Sequence, residues 1–258
     1  MKQTILERLA EIENSERVRV LYACESGSRA WGFPSADSDY DVRFLYLHPV
    51  DWYLSVEDKR DVIERPVQGQ IDLSGWDLRK ALRLFRKANL PLLEWLGSPI
   101  VYLERFTVAG QLRRLKPVYY SPSACAHHYV HMARGNYRDY LKGERVRVKK
   151  YFYVLRPILA VNWIERDPGV MPTQFEALVN GLGFDPTLKA EIDRLIEAKA
   201  KGTELDYGPR IAPISDFIES ELSRLERSTF DHEKHTGSVE PLDDLFRAAL
   251  NEVWRDGI

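Results

Sequence analysis

Asp39 and Asp41 stand two residues apart in the run DYDVRFLYL (39–47), whose composition is that of a β-strand. Side chains at i and i+2 of a strand leave from one face, so Asp39, Asp41 and Arg43 share a side opposite Tyr40, Val42 and Phe44. Two carboxylates in that arrangement suit hard divalent cations with oxygen ligands, magnesium first and manganese second. Two such ions about 3.5–4 Å apart clamp the attacking and leaving oxygens of an in-line phosphoryl displacement. Upstream, separated from Asp39 by ten residues, is Gly27-Ser28. Glycine lets a backbone approach an anion closely, and amides at a turn that opens a helix bind phosphate. Ser28 adds a hydroxyl donor there. Arg29 is either a phosphate contact or a surface arginine, and Arg43 is placed to pair with a carboxylate.

These residues need a frame that holds them. Residues 1–16 carry Ile5, Leu6, Leu9 and Ile12 at helical spacing. RVRVLYAC (17–24) reads as a buried strand ending at Glu25. Glu25-Ser26-Gly27-Ser28 turns into a short helix closed by Gly32, and 34–38 is a polar loop before the Asp-x-Asp strand. A short helix over 50–54 and two strands, 61–64 and 69–73, follow, the strands able to pair as a hairpin. The next helix, 77–88, has Leu78, Ala81, Leu82 and Phe85 on one face and Asp77 or Ser74 as its cap. Past residue 100 the pattern is helical, over 105–115, 123–141, 149–166, 173–180, 186–199, 213–227 and 242–255. The segments 201–210 and 228–240 read as polar mobile loops without functional signal. The expected fold is therefore α/β: a small mixed sheet with helices over 1–100, then an all-helical domain over 101–258, with the boundary at residues 97–99 and a nucleotide bound between the two.

Bulk properties narrow the class. The chain has 258 residues, 44% of them apolar and 29% charged, as in an ordinary globular protein. Thirty-seven basic side chains against 39 acidic ones give no whole-molecule attraction to nucleic acid or membrane. Two cysteines, Cys24 and Cys125, make no disulfide framework. Without a secretion signal or an apolar span, the expected compartment is the cytoplasm, with no membrane partner. His127, His128 and His131 lack a further metal ligand and read as packing or surface residues. Trp31, Phe33, Trp76 and Trp95 read as packing residues, and Cys24 as buried and inert.

The order of strand, Gly-Ser turn, short helix and Asp-x-Asp strand resembles the polymerase-beta-type nucleotidyltransferase superfamily. ESGSRAWGFPSADSDYDVRFLY (25–46), IDLSGWDLRKALRLF (71–85) and KKYFYVLRPILA (149–160) are similar to its YcgL-type, RNA-ligase-associated branch. The resemblance implies transfer of a nucleoside monophosphate from a nucleoside triphosphate such as ATP to an acceptor, with two magnesium or manganese ions. RNA ends are the implied acceptor and an RNA ligase the implied associate. A protein or small-molecule acceptor, such as an antibiotic, and a catalytically silent nucleotide- or RNA-binding module are the competing readings. The superfamily's third carboxylate falls on Asp72, between Ile71 and Leu73. The implied metal ligands are thus Asp39, Asp41 and Asp72, with Asp72 also the base toward the acceptor hydroxyl. Asp77 is the rival, better suited to a helix cap.

Residues 134–156 hold eight basic side chains against Asp139 and Glu144, interleaved with Tyr137, Tyr140, Tyr151 and Tyr153. Positive charge alternating with aromatic rings is the composition of a nucleotide or nucleic-acid surface. On one helix, Lys149, Tyr153 and Arg156 share a face and Lys150 flanks it. Related nucleotidyltransferases bind the triphosphate with lysines of such a helix. The expected nucleotide contacts are therefore Gly27, Ser28, Arg29, Lys149, Lys150, Tyr153 and Arg156.

Overall fold

A computed structural model describes the chain except for residues 36, 167–170, 202–205, 229, 231–236 and 256–258. The elements in order are α1 (Lys2–Glu16), β1 (Arg19–Glu25), α2 (Gly27–Ala30), β2 (Tyr40–Leu47), α3 (Val50–Tyr53), β3 (Val62–Gln68), β4 (Ile71–Asp77), α4 (Leu78–Phe85), α5 (Leu90–Leu96), β5 (Val101–Glu104) and α6 (Val108–Tyr119). They continue with α7 (Pro122–Tyr140), β6 (Arg145–Arg147), a 3₁₀ turn (Val148–Lys150), α8 (Tyr151–Glu165), α9 (Phe175–Leu182), α10 (Pro186–Ala200), β7 (Tyr207–Pro209), α11 (Ala212–Arg227) and α12 (Glu240–Val253). Among the described residues no helix is long and apolar enough to cross a membrane.

Two units emerge. The first comprises Met1–Ala30, Asp39–Ser121 and Lys234–Ile258, the second Trp31–Ser38 and Pro122–Glu233. This corrects the expected division at residue 100. The strand β5, which sequence reading missed, pairs with β1, and α6 packs on β1, so residues 101–121 complete the first unit. The helix α12 rejoins it against α4 and α6. The second unit is not all-helical either, because β6 and β7 form a two-stranded antiparallel ladder. Part of the expected loops, at 202–205, 229 and 231–236, lies outside the described residues.

The sheet of the first unit runs β3-β4-β2-β1-β5 and is mixed: β2 and β4 are parallel and the other neighbours antiparallel. Ile5, Leu9 and Ile12 of α1 share a core with Val42, Phe44, Tyr46, Ile71 and Leu73. Strand alternation sends Asp41, Arg43 and Asp72 to the other face. The expected hairpin is present as β3 and β4. Asp77 ends β4 as the cap of α4, where it accepts the Arg79 amide at 2.8 Å and the Tyr53 hydroxyl at 2.6 Å. Burial pushes its carboxyl up to about 6. Five residues from Asp72, it leaves the strand on the opposite face.

Close approach of β4 to β2 depends on Gly75. It lies opposite Phe44 in the parallel register, and a methyl group there would overlap the Phe44 ring. Gly75→Ala is expected to lower unfolding free energy by about 1–3 kcal/mol, the usual cost of overpacking. Denaturant melts check this; an unchanged midpoint would mean that Phe44 moves aside freely and that the strand spacing does not rest on glycine.

Candidate active site

The parallel register sets Asp41 directly beside Asp72. Each side chain keeps about a third of its surface in solvent, 32% in both cases. Arg43, two residues along β2, turns its guanidinium between them: Nη2 donates to Asp72 Oδ2 at 2.8 Å and to Asp41 Oδ1 at 3.3 Å. Nη1 donates to the Asp72 and Val42 carbonyls at 3.3 and 3.2 Å. One nitrogen thus marks a point on which oxygens of two carboxylates converge. The pairing expected of Arg43 is met with both aspartates at once. Burial, together with the charges of Asp72 and Asp39, raises the Asp41 carboxyl above its usual range, against the opposing pull of Arg43.

The Gly-Ser turn touches this pair. The Ser26 amide donates to the Asp41 carbonyl at 2.8 Å, and a side chain on Gly27 would overlap the Asp41 carboxylate. Gly27 also has φ +59°, so both conformation and space demand glycine. Ser28 is buried in α2. Arg29 donates from Nε to the Asp39 carbonyl at 3.1 Å and covers the Tyr40 ring at 3.8 Å, which braces the approach to β2. Asp39 precedes the strand and is exposed.

Glu25 and Tyr102 do work that sequence reading left unassigned. The Glu25 carboxylate is buried, accepts the Asp41 amide at 2.7 Å through Oε1, and accepts the Tyr102 hydroxyl through Oε2. Its carbonyl accepts the Ser98 hydroxyl at 2.6 Å. Burial raises its pKa. The available signal was an acidic residue closing an apolar strand immediately before the Gly-Ser turn. Cys24 is buried and its thiol is pushed up to about 12, mainly by that burial, which removes the nucleophilic thiolate.

The donor set of Asp39, Asp41 and Asp72 is all oxygen and fits magnesium or manganese. The fit is partial in geometry. Asp41 and Asp72 converge, whereas among the described residues no three ligand side chains form a cluster able to hold a metal ion.

In the second unit the expected basic face is rearranged. Lys149 lies in the 3₁₀ turn, ahead of α8, and is exposed. Lys150 Nζ stands over the Tyr140 and Tyr153 rings at 4.3 and 4.6 Å. Arg156 is 0% exposed, donates to the Thr173 carbonyl at 3.1 Å, and covers the Trp31 ring at 4.3 Å. Lys149, Tyr153 and Arg156 therefore do not form one displayed stripe, because α8 begins only at Tyr151 and its middle is buried. Phe33 stacks on Phe152 at 4.5 Å, as a packing residue should.

A mixed sheet with a Gly-Ser turn after one strand and aspartates on the next two defines a polymerase-beta-like nucleotidyltransferase domain, here with a mainly helical partner. Residues 1–248 match the family model RlaP, the RNA repair pathway DNA polymerase beta family, and the chain belongs to that family. It is 52% identical over 260 residues to "Uncharacterized protein YcgL" of Bacillus subtilis (strain 168), with all of this chain and 99% of that protein covered. A nucleotidyltransferase-like protein of known structure from Exiguobacterium sibiricum 255-15 aligns over 99% of this chain and 91% of its own, at 12% identity and a TM-score of 0.33.

Removing the shared cation should be felt through the carboxylates. A raised pKa means that the folded state holds the Asp41 proton more tightly than the unfolded chain does, so stability falls as pH rises through the folded pKa. Arg43→Gln raises that pKa further and enlarges the loss. The variant is expected to be less stable than wild type by about 1–2 kcal/mol at neutral pH, with a smaller deficit in mild acid where protonation relieves the repulsion. Urea melts at the two pH values measure it, and equal deficits at both would contradict the assignment.

Proposed function

We propose that this protein transfers a nucleoside monophosphate from a nucleoside triphosphate to the end of an RNA. The observation that carries the reading is the convergence of Asp41 and Asp72 on one cation position against the Gly27-Ser28 turn. Turn amides and the Ser28 hydroxyl hold the phosphates, and glycine at 27 keeps that space clear. Asp39, Asp41 and Asp72 would hold the two magnesium or manganese ions, and such ions would supply charge neutralisation on the phosphoryl group and a lowered pKa for the attacking hydroxyl. Asp72 accepts the proton of that hydroxyl. The acceptor oxygen bonds to the α-phosphorus, the bond to the bridging oxygen of the β-phosphate breaks, and pyrophosphate leaves. Glu25 fixes the backbone of Asp41 throughout, so the carboxylate need not be ordered at each turnover.

The test is incubation of the purified protein with each α-labelled nucleoside triphosphate, magnesium or manganese, and a panel of RNAs, proteins and aminoglycosides. Labelled RNA is the expected product. Asp39→Ala and Asp41→Ala should abolish labelling without loss of fold, and Asp72→Asn should slow it by roughly 10²–10⁴-fold at unchanged nucleotide binding. Activity surviving in both aspartate variants would overturn the mechanism, and label on protein or antibiotic alone would replace the acceptor.

A further inference from the structure

The second unit carries a row in which rings and cations alternate. Arg147 and Tyr207 are cross-strand partners in the β6/β7 ladder. The Arg147 guanidinium lies 5.5 Å from the centre of the Tyr207 ring and 5.7 Å from that of Tyr140, at the end of α7. Lys150 follows, 4.3 Å from Tyr140 and 4.6 Å from Tyr153 in the first turn of α8. The order is ring, cation, ring, cation, ring, assembled from segments up to 67 residues apart in the chain, since Tyr140 and Tyr207 belong to it. Tyr207, at the outer end, is 58% exposed.

Among the described residues the cations of this row have no carboxylate within ion-pair distance. Several arginines elsewhere are paired: Arg43 with Asp41 and Asp72, Arg113 with Glu104, Arg224 with Glu165 and Glu221. Among the described residues no carboxylate comes within ion-pair distance of Arg147, Lys149 or Lys150, and the acid nearest in sequence to Tyr140, Asp139, is taken by Arg138 at 2.8 Å. Arg147 Nε is buried without a hydrogen-bond partner. Burial and the repulsion of Arg147 and Lys149 lower the Lys150 pKa. Uncompensated cations at close quarters cost free energy that an external polyanion returns.

The alternation narrows the polyanion. A compact triphosphate engages cations but has no use for a row of rings. A duplex offers phosphates but hides the faces of its bases. A single strand presents phosphates to cations and bases to rings in turn. We propose that the row from Tyr207 to Tyr153 binds single-stranded RNA, with phosphates on Arg147 and Lys150 and a base stacked on the exposed face of Tyr207. Lys150 and Tyr153 thereby serve the acceptor rather than the nucleoside triphosphate. The identification of this strand as acceptor rests on the transferase reading; its binding does not.

Fluorescence anisotropy of the full chain with an unstructured labelled RNA of about 12 nucleotides, in EDTA, tests the proposal. Tyr207→Ala is expected to weaken binding about tenfold, while Tyr207→Phe and Tyr207→Trp, which keep a ring, bind as wild type does. Lys150→Ala should flatten the dependence of log affinity on log salt by about 0.7. Thermal melts of the same variants confirm that each is folded, and exposed Tyr207 gives a test that does not hinge on the packing of Arg147. Absence of RNA binding, wild-type affinity in both Tyr207→Ala and Lys150→Ala, or equally tight binding of the corresponding duplex would overturn it. Displacement of the RNA by inorganic tripolyphosphate with equal potency in wild type and Tyr207→Ala would do so as well, since it would define a triphosphate site only. Asp41→Ala should bind the RNA normally, so loss of transfer there is distinguishable from failure of the strand site.

Discussion

Two carboxylates set side by side on neighbouring parallel strands repel one another, and the first unit is organised around the cation that holds them together. Arg43 reaches both Asp41 and Asp72 with one nitrogen, from two residues along the same strand as Asp41. That contact needs the exact parallel register of β2 and β4, which places the aspartates as partners and Arg43 beside Ser74. The register in turn needs the strands close, which Gly75 permits by leaving room for the Phe44 ring. Glu25 then pins the Asp41 amide from the adjacent strand, at the cost of a buried carboxylate satisfied by Tyr102. The site is therefore strained electrostatically and rigid sterically, a combination suited to receiving a cation where a guanidinium now stands.

The second unit solves a different problem. Its core is built on α8, where even Arg156 is enclosed and used as a packing group over Trp31. Ahead of that helix, the 3₁₀ turn and the β6/β7 ladder bring Arg147 and Lys150 together around the Tyr140 ring. Cation–π contacts hold these charges in place, so they are ordered before any anion arrives. Preorganised charge of this kind favours association over fold stability, which is the balance expected of a binding surface.

Local pattern carried much of this. The Gly-Ser turn, the Asp-x-Asp strand and the capping role of Asp77 are written within a few residues of one another, and each follows from strand alternation or helix capping. Pairing between distant segments is not written that way. Nothing local says that Asp72 lies beside Asp41 rather than one strand further away, or that Val101–Glu104 joins the sheet, because four residues give too short a pattern. Tyr207 sits in a stretch that reads as an idle loop, and only its three-residue partner β6 makes it a strand. The enclosure of Arg156 was not legible for a related reason: α8 is apolar on nearly every side, so helical spacing cannot tell a displayed face from an enclosed one.

We propose that Asp41 and Asp72 form the oxygen-donor pair of a divalent-cation site. Titration of manganese into the protein, followed by electron paramagnetic resonance of the free ion, measures this without any assumption about substrate. Wild type should bind manganese saturably, and Asp41→Asn and Asp72→Asn should each weaken that binding by about tenfold or more, since each removes a charged oxygen ligand. Arg43→Gln should bind the ion more tightly than wild type, because the competing guanidinium is gone. Equal affinity in wild type and both aspartate variants would contradict the account.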